Sequence, residues 1–280
     1  MKSMFLRFPG GKSKALTFSY DDGVAQDKRL IEIFRRNGLK GTFNINSGLF
    51  ADDSSTPPGG RVRGRMSQQE VLETYQEDVC EVACHGLSHP FFDRCADAVL
   101  CSEIVDDRKN LEQLFGRQIR GMAYPYGTFS DTVVDVLRLA GIRYCRTTVA
   151  TEIFHMPTDW LRMSATCHHN CPRLMTLAEQ FLSMPANRNP QMFYVWGHSY
   201  EFDEKDNWNV IEDFAQKMGG KEDIWYATNM EIYNAWHDFM QLESSADGKL
   251  IYNPTARDIW FADTNNVTYH IAPGETINVP

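Results

Sequence analysis

Apolar positions along the chain follow two periods in turn. Short runs rich in β-branched and aromatic residues read as strands: "KALTFSY" (14–20), "GTFNIN" (41–46), "VCEVACH" (79–85), "QIRGMAYPYG" (118–127), "IRYCRTT" (142–148) and "QMFYVWGH" (191–198). Between them the spacing turns helical. In 25–38, Leu30, Ile31, Ile33 and Phe34 share a face that stops at Gly38, and the same logic predicts helices over 97–116, 130–141, 172–185, 207–220 and 229–243. Ser67 reads as the N-cap of one more helix, in "SQQEVLETYQE", and Ser130 as the cap of another, which stops at Gly141.

Strand and helix in alternation predict β/α units around a largely parallel sheet or barrel. The polar stretch from Ser47 to Met66, with "STPPGGRVRGR" inside it, breaks the alternation and is expected to be an excursion bordering a site. From Gly248 the helical pattern disappears and β-formers and turn pairs take over. We therefore divide the chain into a main α/β domain, 1–247, and a small antiparallel β appendage, 248–280, packed on it for stability or as an oligomer contact.

Composition narrows the partners. A length of 280 residues with 42% apolar content can bury a full core, and a formal charge of −9 argues against nucleic acid and anionic membrane. No apolar run is long enough to span a bilayer, and the start of the chain lacks a signal-peptide core. Seven cysteines, an odd number in a chain this long, fit free thiols in a reducing compartment, so the expected location is cytoplasmic.

Chemistry-bearing residues collect where strands end. "SYDDG" puts Asp21 and Asp22 at the tip of a hydrophobic element, "CHGLSH" sets His85 and His89 four residues apart, "AYPYG" makes a Pro-fixed turn, and "VWGH" ends an apolar strand at His198. Taken singly, Asp-Asp-Gly is usually a turn with a helix cap, and one histidine is usually structural. Two imidazoles at that spacing plus a carboxylate can complete a three-ligand set for a divalent ion. Trp196 and Tyr200 flank His198, and Glu201 lies close to it in sequence. "TCHHNC" (166–171) has no second Cys or His pair at zinc-ribbon spacing and reads as loop residues near the cleft.

The order "TFSYDDG", "HGLSH", "YPYG", "DW", "VWGH" resembles the polysaccharide deacetylase family, the NodB-homology or carbohydrate esterase family 4 group, over roughly residues 14–230. The resemblance implies a distorted (β/α) barrel that removes N-acetyl groups from an amino sugar or short saccharide. It implies one divalent metal ion, zinc by preference, with cobalt, nickel or manganese as alternatives. Asp22, His85 and His89 match the family's metal ligands, Asp21 its general base, Tyr126 the residue whose backbone N–H holds the oxyanion, and His198 its general acid. Asp159 looks like the carboxylate that orients the acid, and Trp160 like a wall of the acetyl groove; Trp196 and Tyr200, which flank His198, are expected as saccharide contacts from their position alone.

Two departures stand out. Ala123 occupies the place where the family often has an arginine that braces the base, so the brace is missing or comes from elsewhere, and Met156 stands where the fourth motif has its first acid. Two other functions stay open at this level. One is a cyclic amide or ureide hydrolase resembling allantoinase-type enzymes, relatives that tend to have lost the metal set; the other is a catalytically silent carbohydrate-binding domain.

Overall fold

The structure is a computed structural model that describes residues 3–52, 64–76, 78–186 and 188–279; the middle of the 47–66 excursion lies outside them. Its strands are, in chain order, β1 (Phe5–Arg7), β2 (Lys14–Asp21), β3 (Gly41–Ile45), β4 (Cys80–Cys84), β5 (Gly121–Ala123), β6 (Tyr144–Ala150), β7 (Met163–Ala165), β8 (Cys167–His168), β9 (Gln191–Gly197), β10 (Ile224–Tyr226), β11 (Glu243–Ser244), β12 (Leu250–Tyr252), β13 (Ile259–Ala262), β14 (Thr268–Ile271) and β15 (Thr276–Asn278). The helices are α1 (Asp27–Arg36), α2 (Gln68–Thr74), α3 (Asp97–Phe115), α4 (Asp131–Leu139), α5 (Leu174–Ser183), α6 (Tyr200–Glu204), α7 (Asn209–Met218) and α8 (Asn229–Phe239).

Nine strands form one parallel sheet in the order β7-β6-β5-β4-β3-β2-β9-β8, with β10 also paired to β2. This is the α/β architecture expected from the sequence. Among the described residues no ladder joins β7 to β8, so the sheet stays open instead of closing into a complete barrel. The sequence reading missed β7, β8 and β10 because two or three residues are too few to show a period.

β2 explains how the sheet carries a site. All eight of its residues are buried, and its two faces are chemically unlike. Leu16, Phe18 and Tyr20 belong to the large apolar core. There Phe18 meets Phe34 of α1 and Phe214 of α7, at centroid distances of 4.5 and 5.9 Å. Thr17, Ser19 and Asp21, on the opposite face by the two-residue period, enter a buried polar ladder. In it Thr17 donates to Asn229 at 2.9 Å and Asn44 donates to Ser19 at 2.8 Å. A buried polar row is tolerable only when every member finds a partner, and this one leads along the strand to Asp21.

The tail forms two small antiparallel sheets, β11-β12-β15 and β1-β13-β14, around Ile251, Ile259, Phe261, Ile271 and Val279. Its first strand starts at Glu243, ahead of Gly248. The second sheet also takes Phe5–Arg7 from the other end of the chain as a partner for β13.

Candidate active site

The carboxyl ends of parallel strands are where open α/β sheets place their ligands. β2 ends at Asp21 and is followed by Asp22, β4 by His85, β5 by the Pro125–Gly127 turn and β9 by His198. Two glycines permit this convergence. A Cβ on Gly127, which has φ +72°, would stand 2.2 Å from Thr148 Oγ1, and one on Gly197 would stand 2.1 Å from His169 Nδ1.

Asp22, His85 and His89 present one ligand atom each within 4.8 Å of one another. His89 Nε2 is 3.7 Å from Asp22 Oδ1. No helix turn makes this geometry: Gly86 and His89 both take positive φ, +76° and +59°, and bend the chain back after β4. His85 Nδ1 lies 2.8 Å from the Ala123 carbonyl, which can only accept, so Nδ1 carries the proton and the Nε2 lone pair is left for a ligand. Burial, with His85 beside it, pushes His89 down to about 4, and burial lowers His85 as well, so both imidazoles are neutral and suited to a metal. The donor set of two nitrogens and a carboxylate with open positions fits zinc or a similar divalent ion.

Carboxylates of α3 hold the turn in place, a feature the sequence reading passed over as an ordinary amphipathic helix. Asp107 accepts the backbone N–H of Ser47 at 2.8 Å and of His85 at 3.0 Å, and Glu103 accepts that of Ser88 at 2.8 Å. Asn46 donates to the Gly86 carbonyl at 2.7 Å and accepts from Arg65 at 2.7 Å. Arg65 also donates to Asp22 Oδ1 at 2.9 Å and to the Asp22 backbone carbonyl.

Asp21 lies between the two halves of the site, its Oδ2 3.9 Å from His85 Nε2 and 3.8 Å from His198 Nε2. Its brace comes from the neighbouring strand. Arg146 of β6, the register partner of Ala123, places its guanidinium on Asp21 Oδ2, while Asn44 donates to Oδ1 at 2.8 Å. Burial alone would raise this carboxyl; Arg146, with His85 and His198, holds it down at about 2. The Arg146 guanidinium also lies over the Trp196 ring at 4.4 Å, a cation–π contact that fixes its plane.

His198 is oriented by Glu201, its Nδ1 2.7 Å from Glu201 Oε1. Burial pushes His198 down, but the Glu201 hydrogen bond and the charges of Asp21 and Asp22 outweigh it and leave it raised. Burial likewise opposes ionisation of Glu201, yet hydrogen bonds from His168, His169 and His198 hold it far below the carboxylate range. Thus "TCHHNC" is part of the site's support: Cys167 and His168 form β8, and His168 Nε2 is 3.4 Å from Glu201 Oε1. His168, His198 and Glu201 also cluster closely enough for a cation. The Asn170 N–H, however, points at His168 Nδ1 at 3.1 Å, which puts the imidazole proton on Nε2 facing Glu201. The cluster is a hydrogen-bonded hub.

Three expectations need correction. Asp159 does not orient His198; it accepts the Leu161 N–H at 2.9 Å, capping a short turn, and pairs with Arg162 at 2.6 Å. Trp160 is core, packed 5.2 Å from both Tyr233 and Trp236 of α8. Trp196 is buried between Arg146 and His168 and offers little open face. Tyr200 does stand beside His198, at 5.2 Å. The exposed aromatic surface is elsewhere: Tyr126, 54% exposed, stacks on Phe91 at 3.9 Å and meets the His89 ring at 4.5 Å. "PFF", directly after His89, is the available signal for Phe91.

The carboxylate–imidazole cluster thus lies at the carboxyl edge of a helix-covered parallel sheet. Residues 9–145 match the family model described as polysaccharide deacetylase. Arg146, His198 and Glu201 all lie beyond it. Among solved structures, a family 4 carbohydrate esterase from Streptomyces lividans in complex with acetate is similar at 16% identity. It covers 77% of this chain and 93% of its own, with a TM-score of 0.52. A putative polysaccharide deacetylase from Mycobacterium smegmatis is 12% identical over 84% of this chain and 93% of its own, with a TM-score of 0.56. These likenesses are of fold. A Streptococcus pyogenes deacetylase in complex with acetate is 19% identical, with a TM-score of 0.44; the match spans 52% of this chain and 61% of that protein. No curated protein matches the chain. No helix among the described residues is long and apolar enough to cross a membrane.

Proposed function

We propose that the chain is a metal-dependent hydrolase that removes an N-acetyl group from an amino sugar or short saccharide. The observation that carries this reading is the opening of Asp22, His85 and His89 beside Asp21, with His198 on its other side. A divalent ion held by the three ligands would polarise the amide carbonyl and lower the pKa of water toward neutrality. Asp21, ionised throughout the physiological range, accepts the proton of the attacking water. The Tyr126 backbone N–H would be the donor to the developing oxyanion. His198, whose hold on a proton Glu201 strengthens, would deliver that proton to the leaving amine, giving acetate and a free amino sugar. The exposed Phe91–Tyr126 pair supplies an apolar face against which a sugar ring can lie.

The test is acetate release from N-acetylglucosamine oligomers by dialysed protein, with chelator and after zinc is returned. Release that disappears with chelator and returns with zinc supports the reading; no release from any N-acetylated saccharide rejects it. Arg65 favours a second reading, a metal-free hydrolase of cyclic amides, because its guanidinium already sets a positive charge on Asp22. Turnover of a cyclic ureide that chelator leaves unchanged would select it.

A further inference from the structure

Arg65 is built into the candidate metal centre. Residues 64–66 are tied to the turn that carries Asp22: Ala25 N–H donates to the Gly64 carbonyl at 2.9 Å, Met66 N–H donates to the Gly23 carbonyl at 3.2 Å, and Val24 and Arg65 form an antiparallel bridge. The side chain is mostly buried and forked. Nη1 donates to the Asp22 carbonyl and to Asn46 Oδ1, and Nη2 donates to Asp22 Oδ1. Asp22 is itself only 1% exposed.

The oxygen matters. A donor next to a metal ligand usually orients it and raises affinity. Here the donor is a full cation, and it sits on Oδ1, the oxygen 3.7 Å from His89 Nε2. An ion entering between Asp22 and His89 meets an oxygen whose charge is already shared, and a guanidinium at short range that repels it. In the metal-free chain the same guanidinium does the opposite service, since a buried carboxylate without a counter-charge is strongly destabilising.

We propose that Arg65 is a resident counter-cation of the metal centre: it holds Asp22 in ligand geometry before metal arrives and sets a weak affinity once it does. The inference rests on the metal-dependent reading of the site, and its test needs no catalysis. The cobalt or zinc dissociation constant, by competition with a chromogenic chelator, and the melting temperature with and without metal are measured for the wild type, Arg65→Gln and Arg65→Lys. Gln keeps a donor for Asp22 and removes the charge.

Arg65→Gln is expected to bind metal at least tenfold more tightly, to melt lower when metal-free, and to gain more from added metal than the wild type does. Arg65→Lys, still charged, is expected to keep an affinity within a few-fold of the wild type. Metal binding by Arg65→Gln where the wild type shows none would support the proposal while rejecting metal dependence for the native chain. Equal or weaker affinity in a folded Arg65→Gln protein, or no binding by any of the three, overturns it.

Discussion

Ala123 and Arg146 are register partners in the ladder between β5 and β6, so the strand that lacks the bracing arginine lies directly beside the one that supplies it. Asp21 receives its guanidinium from one strand further along the sheet than the family pattern leads one to expect. Because both partners are buried, Arg146→Met leaves an unpaired carboxylate, at a cost of about 3–5 kcal/mol. Acetate release should fall by roughly 100-fold or more, as a misplaced base costs. Moving the arginine back, Ala123→Arg combined with Arg146→Ala, should recover a measurable part of both. Thermal melts and initial rates check this.

Glu201 acts through His198, and its removal should be felt in protonation. Glu201→Gln takes away the charge, and weakens the hydrogen bond, that raise His198, so the basic limb of the pH–rate profile should move to lower pH. The rate constant kcat should fall while KM changes little, and Glu201→Asp should restore part of it. An unshifted basic limb would mean that His198 is not the proton donor.

Asp27 links folding to pH. Burial pushes its carboxyl up to about 7, although Ser199 and Tyr75 both donate to it. Its folded value lies above its unfolded one, so between about pH 4 and 7 the folded chain keeps a proton that the unfolded chain has lost. Its stability contribution therefore falls as pH rises through that window. Asp27→Asn lacks this slope, and its melting temperature relative to the wild type should become more favourable from pH 5 to pH 8.

Phe91 should matter for binding more than for chemistry. It touches the Tyr126 ring at 3.9 Å and no titratable group of the site by a polar contact. Phe91→Ala removes one layer of the exposed aromatic stack, worth about 0.5–1.5 kcal/mol beyond area. KM for a saccharide should rise roughly three- to tenfold with kcat nearly constant; steady-state kinetics on oligomers of different length would read this.

What the sequence disclosed follows from how local each signal is. Asp21, Asp22, His85 and His198 are legible because each sits at the end of a strand with its turn residues beside it, and His89 because it follows His85 by four residues. Arg146 was invisible as a brace because only strand register relates it to Asp21, 125 residues away in the chain. Glu201 was noticed for proximity alone, and its role depends on the start of α6 turning it back onto His198. Asp159 and Trp160 were misassigned because a two-residue match carries too little information to fix a position in a loop. The same holds for β7, β8 and β10, whose existence depends on their neighbours more than on their own residues.

Asp22, His89 and Tyr126 share a backbone habit: all three take positive φ, +88°, +59° and +57°, without being glycine. Each such residue holds about 1–3 kcal/mol of strain that the surrounding fold must sustain. Glycine at His89 or Tyr126 would relieve that strain at the expense of the ring, whereas glycine at Asp22 would also leave the buried Arg65 guanidinium without its carboxylate. His89 and Tyr126 are therefore the two positions where a glycine would exchange the cleft for stability.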